Sequence, residues 1–342
     1  MDFYQIMASG IQFPSKHTFA KKIIGATAPG ADRRIVSSTY NYPRNLRDMM
    51  TWLTYFMEEQ RVYSRKVVSS LASSGEDALP TNDRFITSVN GLIDIRKKGT
   101  HSFAVSGDDG VVFMCNGQAV GRYYGSGGTT GVITFDEPGL YDFTLIQQEY
   151  GGWQSYSVTM REPDGSGHID IAEGRLFRYT GSIMSGLRGV RGPTNRAEYP
   201  STEDWDTIED YMRSHKYADI VTNFIFLDNY AYRFYDRGNY WGYTYDGYIR
   251  FPEDGEWELG TYADNAMTVM IDGKRIEPNP PSTWDRTIHA MKKTVVARAN
   301  HLHKVRISAL EITGGEMFLF GIRKKGTNTW RTDLTGLVYH DA

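Results

Sequence analysis

The chain has 342 residues, a formal net charge of -3, one cysteine and 35 glycines. That length accommodates two or three domains of ordinary size, and the near-neutral balance excludes a global field for nucleic acid or an anionic membrane surface. A single cysteine, Cys115, excludes an internal disulfide framework and a cysteine-based zinc site. Aromatics are abundant, with 23 Tyr, 16 Phe and 7 Trp. Together with the glycines they predict many short strands joined by tight turns. No apolar run approaches a bilayer span, and MDFYQIMASGIQF lacks the basic-then-apolar pattern of a signal peptide. The expectation is a protein made in a cytoplasm without membrane insertion.

Residues 1–44 are punctuated by Gly10, Pro14, Gly25, Pro29, Gly30 and Pro43. They read as an irregular arm, either docking on a partner or strapping the domain that follows. Over residues 45–68 the apolar spacing of Leu46, Met49, Met50, Leu53, Phe56, Met57, Tyr63 and Val67 predicts an amphipathic helix capped by Asn45. Ser69–Asn82 reads as a linker.

Residues 84–161 carry alternating, β-branched and aromatic segments broken by Gly and Asp, the pattern of a β unit. Residues 162–200 are rich in Gly and Arg and read as a connector. Ser201–Lys216 predicts a second helix, capped by Ser201, with Trp205, Ile208, Tyr211 and Met212 on one face. Residues 220–323 form a second β unit. The expected domains are therefore 1–80, an arm and helix for docking; 81–162, a first β domain; 163–218, a connector and helix; and 219–342, a second β domain.

The two β units repeat. Gly91–Gly117 matches Gly247–Gly273 without a gap, so that Gly91, Gly99, Asp108 and Gly117 fall on Gly247, Gly255, Asp264 and Gly273. Gly139–Arg161 likewise matches His301–Arg323. A period near 160 residues means a duplicated domain and not a solenoid.

The order of these turns resembles the PA14 domain. Ser106-Gly107-Asp108-Asp109-Gly110, Asn116-Gly117 and Pro138-Gly139-Leu140-Tyr141 carry the resemblance in the first copy. Tyr262-Ala263-Asp264-Asn265 and Asp272-Gly273-Lys274 carry it in the second. It implies a mainly β protein with two PA14-like β-sandwich domains, each following one of the two helices predicted from the apolar spacing. In lectin-type members such an Asp-Asp pair holds Ca²⁺, which binds vicinal sugar hydroxyls. The resemblance thus makes Asp108 and Asp109 the Ca²⁺ candidates, with a plain Asx-type β-turn as the alternative. The second copy offers Asp264 alone, since Asn265 replaces the second carboxylate.

The aromatic run at 229–251 and Trp153 are candidates for a glycan or partner face, with Tyr240, Trp241 and Tyr243 the residues singled out. Core packing and a protein interface stand as alternatives for that run. His301 and His303 on one strand make half of a metal site. No G-x-S-x-G, H-E-x-x-H, phosphate-binding loop or dinucleotide fingerprint is present, so no enzyme is expected. The functional expectation is a structural or adhesion protein of a bacteriophage particle, associated with the tail or baseplate. Other virion proteins, further copies of the chain and host-surface carbohydrate are its expected partners. A Ca²⁺-dependent lectin and an accessory region of a glycan-active enzyme are the alternatives.

Overall fold

A computed structural model describes residues 27–37, 49, 62–75, 83–172, 174–181, 183–194, 200–201, 204–229, 239–276, 287–299, 301–314 and 316–342. The chain divides into two compact units that change over between Ser185 and Gly186. The expected arm before Thr27, most of the 45–61 segment and Tyr230 to Arg237 lie outside the described residues.

The first unit contains β1 (Thr27–Pro29), β2 (Ala31–Ser37), β3 (Val62–Val68), β4 (Ala72–Ser74), β5 (Phe85–Ile95), β6 (Gly99–Asp108) and β7 (Gly110–Cys115). It continues with β8 (Gln118–Arg122), β9 (Gly127–Phe135), β10 (Gly139–Glu149), β11 (Ser155–Arg161), β12 (Ile169–Asp170), β13 (Leu176–Tyr179) and β14 (Ile183–Ser185). One sheet runs β1-β13-β5-β10-β7-β8, with β2 also on β5 and β3 on β2; the other runs β12-β11-β6-β9, with β4 on β11. Alternation puts Val89, Ile93, Phe113, Phe143 and Leu145 of one sheet against Phe103, Val105, Phe135 and Val158 of the other. Phe103 stacks on Phe113 at 5.1 Å, and Phe135 meets Tyr141 edge-on at 4.5 Å. Each such buried aromatic or aliphatic side chain contributes about 1.5–3 kcal/mol.

The second unit contains β15 (Leu187–Pro193), α1 (Trp205–Ser214), β16 (Ala218–Thr222), β17 (Phe226–Asn229), β18 (Trp241–Ile249), β19 (Gly255–Ala263) and β20 (Ala266–Ile271). It ends with β21 (Lys274–Ile276), β22 (His289–Ala297), β23 (His303–Glu311), β24 (Glu316–Lys324) and β25 (Val338–Asp341). Its sheets run β25-β18-β23-β20-β21, with β15 on β18 and β16 on β15, and β17-β24-β19-β22.

Both units therefore have one topology. Thr87 pairs with Gln147 in the first, and Tyr243 with Ala309 in the second, at the equivalent register. Arg33 lies beside Val89 as Gly189 lies beside Tyr245. Both β7–β8 and β20–β21 turn through two residues of positive φ: Asn116 and Gly117 at 51° and 71°, Asp272 and Gly273 at 48° and 77°. That is the backbone of a type I′ hairpin, which Asn-Gly and Asp-Gly favour.

Four expectations change. Val62–Val68 is a strand, not the end of a helix. It is rich in Val and Tyr and finds a ladder partner in Ala31–Ser37, so tertiary pairing overrides the helical spacing. Ala31–Ser37 in turn is sheet, not arm, with Ala31 and Ile35 in the core. The connector contributes β12 and β13 to the first unit and β15 to the second. Finally, α1 begins at Trp205 with Asp204 in the N-cap position, and Ser201 instead donates to the Asp204 carboxylate through its N–H and hydroxyl at 3.0 and 2.8 Å.

Helix α1 lies on the sheet through Trp205, Ile208 and Met212, packed with Leu310. Its buried Glu209 is enclosed by Arg275 at 2.9 Å, Arg306 at 3.1 Å and the Ser308 hydroxyl at 2.7 Å. Such a charge is tolerable inside only because its oxygens are paired.

Candidate functional site

The acidic turn closes one end of the first unit. Asp108 ends β6 and lies opposite Ser155; Gly110 begins β7. The peptide between Asp108 and Asp109 is cis. One carboxylate oxygen of Asp109, Oδ2, accepts from the N–H of Tyr150 at 2.8 Å and of Gly151 at 3.2 Å. Asp83 Oδ1 accepts from the next N–H, Gly152, at 3.2 Å. Three consecutive donors of the β10–β11 turn are thus held by two carboxylates. Trp153 follows, 64 % exposed, its ring 3.5 Å from where a Cβ on Gly75 would sit. A Cβ on Gly110 would meet the Tyr123 carbonyl oxygen at 2.5 Å. Only glycine therefore lets the loop after β8, with the exposed Tyr124, lie against the acidic turn.

Beneath the turn sits Glu149, 1 % exposed, at the end of β10. Gln147 Nε2 donates to the Asp108 carbonyl oxygen at 2.8 Å and reaches Glu149 Oε2 at 3.4 Å. Glu149 Oε1 has no hydrogen-bond partner. Burial, then the charges of Asp109 and Asp108, push Glu149 up to about 8. Burial and then Asp109 also raise Asp108.

The second unit builds the same turn with less charge. Asn265 Oδ1 accepts from the N–H of Ile312 at 2.6 Å and Thr313 at 3.2 Å, the counterparts of Tyr150 and Gly151. A neutral amide therefore does the bracing that Asp109 does in the first unit. Burial alone pushes Asp264 up to about 6.

The aromatic candidates separate. Trp153 is displayed, and Tyr240 stays at the surface with a φ of 65°. Trp241 and Tyr243 are 2 % and 0 % exposed, and Tyr243 packs edge-on against Phe318 at 5.3 Å. They are core residues, because strand β18 has β15 and β23 on its flanks and buries side chains on both faces. His303 Nδ1 lies 2.8 Å from Asp272 Oδ2, so that ring is committed to a hydrogen bond on the hairpin. Cys115 is buried. Sequence reasoning did not single out Asp83, Tyr124 or Glu149; only the fold brings them to the acidic turn.

Among the described residues, no three His, Cys, Asp or Glu side chains converge as a metal cage. The donors on the first turn still have the chemistry Ca²⁺ takes: two adjacent carboxylates, one with an oxygen beyond its backbone bonds, and like charges that a divalent cation would relieve. A site with two carboxylates leaves coordination positions for carbonyl, water and ligand hydroxyl oxygens.

The PA14 domain family model matches residues 209–317, within the second unit. No curated protein matches the chain. Solved structures similar to it include an anti-sigma factor domain-containing protein from Clostridium clariflavum, 11 % identical, covering 92 % of this chain and 100 % of that one at a TM-score of 0.35. The Epithelial Adhesin 9 A domain from Candida glabrata, in complex with Galβ1-4GlcNAc, is 11 % identical, covering 44 % of this chain and 90 % of that one at 0.36. A PA14 sugar-binding domain from an RTX adhesin is 16 % identical, covering 42 % and 94 % at 0.34.

Proposed function

We propose that the chain is a non-enzymatic adhesion protein of two tandem PA14-like units, and that its first unit binds carbohydrate with Ca²⁺. The family match at residues 209–317 supports the class for the second unit, and the shared topology extends it to the first. The observation that carries the binding role is the acidic turn braced to an exposed tryptophan: Asp109 holds Tyr150 and Gly151, and Trp153 stands two residues further on. Asp108 and the second oxygen of Asp109 would hold Ca²⁺. The ion would take vicinal hydroxyls of a sugar, and Trp153 and Tyr124 would offer flat apolar faces beside them. In the second unit the single carboxylate of Asp264 and the buried Trp241 and Tyr243 favour a supporting role.

Glycan-array binding of the full chain, with Ca²⁺ and with chelator, tests this. Retention that needs Ca²⁺ and disappears in Asp109→Ala is expected. No retention of any glycan with Ca²⁺ present overturns the reading. The tail or baseplate of a phage particle is proposed as its setting, on the duplicated β module and the lack of a catalytic constellation in the sequence. Failure to detect the chain in purified particles removes that placement and leaves the carbohydrate role standing.

A further inference from the structure

Arg33 is a buried charge that the carbohydrate site does not use. It lies on β2 facing the interior of the first unit, 5 % exposed. Its Nη1 reaches the Ser73 hydroxyl at a long 3.4 Å, and its Nε has no partner. No carboxylate among the described residues pairs with it. The neighbouring Asp32 feels Arg178 and Arg34, and the charges acting on buried Glu149 are Asp109, Asp108 and Asp83. A guanidinium taken out of water without a counter-charge costs several kcal/mol, so buried arginines are as a rule neutralised.

The groups around Arg33 are neutral hydroxyls: Ser73 Oγ accepts the long bond from Arg33, and neither Ser73 nor Tyr156 brings a counter-charge. Tyr156 on β11 lies directly beside Ser73 on β4, and its phenol, raised by burial and drawn back by Arg33 and Ser73, faces both. Its hydroxyl makes no well-formed bond to either. Arg33 belongs to one sheet, Ser73 and Tyr156 to the other, so a cation and two hydroxyls that can each donate meet where the sheets face each other. The second unit has the same backbone with none of them. Gly189 stands for Arg33 and Phe318 for Tyr156, by register with Tyr245 and Ala263. The fold is thus able to close this position with apolar groups, and the first unit instead places a cation and two hydroxyls there.

We propose that the first unit binds a small oxyanion group, a sulfate, phosphate or carboxylate, on Arg33, Tyr156 and Ser73. The planar fork of arginine pairs with two oxygens of such a group, and the hydroxyls take the remainder. The carbohydrate site is not needed for it, since Arg33, Ser73 and Tyr156 are not among its residues.

Thermal unfolding of the full chain in sodium sulfate, phosphate, acetate and chloride at matched ionic strength tests the proposal. Wild type is expected to melt higher in sulfate or phosphate than in chloride if the group is tetrahedral, and higher in acetate if it is a carboxylate. Sulfate stabilises proteins generally, so the comparison that decides is with Arg33→Met, in which only the general rise remains. Tyr156→Phe, which copies Phe318, reduces the specific rise and serves if Arg33→Met does not fold. Equal rises in wild type and both variants overturn the proposal, as does a wild type whose melting is the same in all four salts.

Discussion

The two units share a strand order and a register but fill one end differently. In the second, Tyr243, Phe318 and Ala309 face inward, and Asn265 braces the turn. In the first, the same positions are Thr87, Tyr156, Gln147 and Asp109, with Arg33 alongside, while a buried glutamate, Glu149 or Glu311, lies at the end of the equivalent strand in both units. Frame and chemistry are thus separable. The frame needs only a side-chain acceptor at the second position of the acidic turn, and an amide suffices. The extra carboxylate, the buried Arg33 and the exposed Trp153 belong to one copy and are not required by the fold. Under the proposed function, the second unit holds the architecture and the first binds the ligand.

The sharpest way to break this contrast is to truncate corresponding features. Tyr243→Ala should destabilise the second unit by about 3–5 kcal/mol, as a buried aromatic leaves a cavity. Glu209→Ala should cost a similar ~3–5 kcal/mol by stranding Arg275 and Arg306. Trp153→Ala, by contrast, should stay within about 0.5 kcal/mol in denaturant unfolding. If Trp153→Ala cost as much as Tyr243→Ala, Trp153 would be a core residue and the display argument would fail.

A smaller effect separates bracing from charge. Asp109→Ala should cost about 1–3 kcal/mol by leaving the Tyr150 and Gly151 N–H groups unpaired. Asp109→Asn should be nearly neutral for stability, because Asn265 does this task in the second unit. Equal losses in both variants would show that the turn needs the charge itself.

A separate effect is in pH. Folding raises Glu149 from 4.5 to about 8, so the native state keeps a proton that the unfolded chain releases. Its contribution to stability is full below 4.5 and is lost as pH rises through about 8. For Asp264 the window is 3.8 to about 6. Glu149→Gln should therefore gain on wild type steadily across the first window, read as the difference in melting temperature. A constant difference across that window would mean that Glu149 titrates as in the unfolded chain.

Much of the frame was legible. The gapless matches of Gly91–Gly117 and Gly139–Arg161 fall on β5 to β7 and on β10 and β11, and their counterparts on β18 to β20 and on β23 and β24. The outer strands were not legible. Ala31–Ser37 and Leu187–Pro193 occupy equivalent places without one identical pair, as do Leu176–Tyr179 and Val338–Asp341. Their pairing is set by the sheet edge each meets, which no local pattern encodes. In the site, the Asp108-Asp109 pair was visible, but the bracing of Tyr150 and Gly151 needs a contact across 41 residues. Alternation in β18 could not say whether Trp241 and Tyr243 are displayed, because both faces of that strand are buried.

One ligand-bearing unit out of two predicts a single Ca²⁺ site, and the stoichiometry of Ca²⁺ binding tests it directly. Calorimetric titration of the full chain should show one Ca²⁺ per chain, lost in Asp108→Asn and unchanged in Asp264→Asn. Two equivalent ions per chain, or a single one that Asp264→Asn removes, would contradict it.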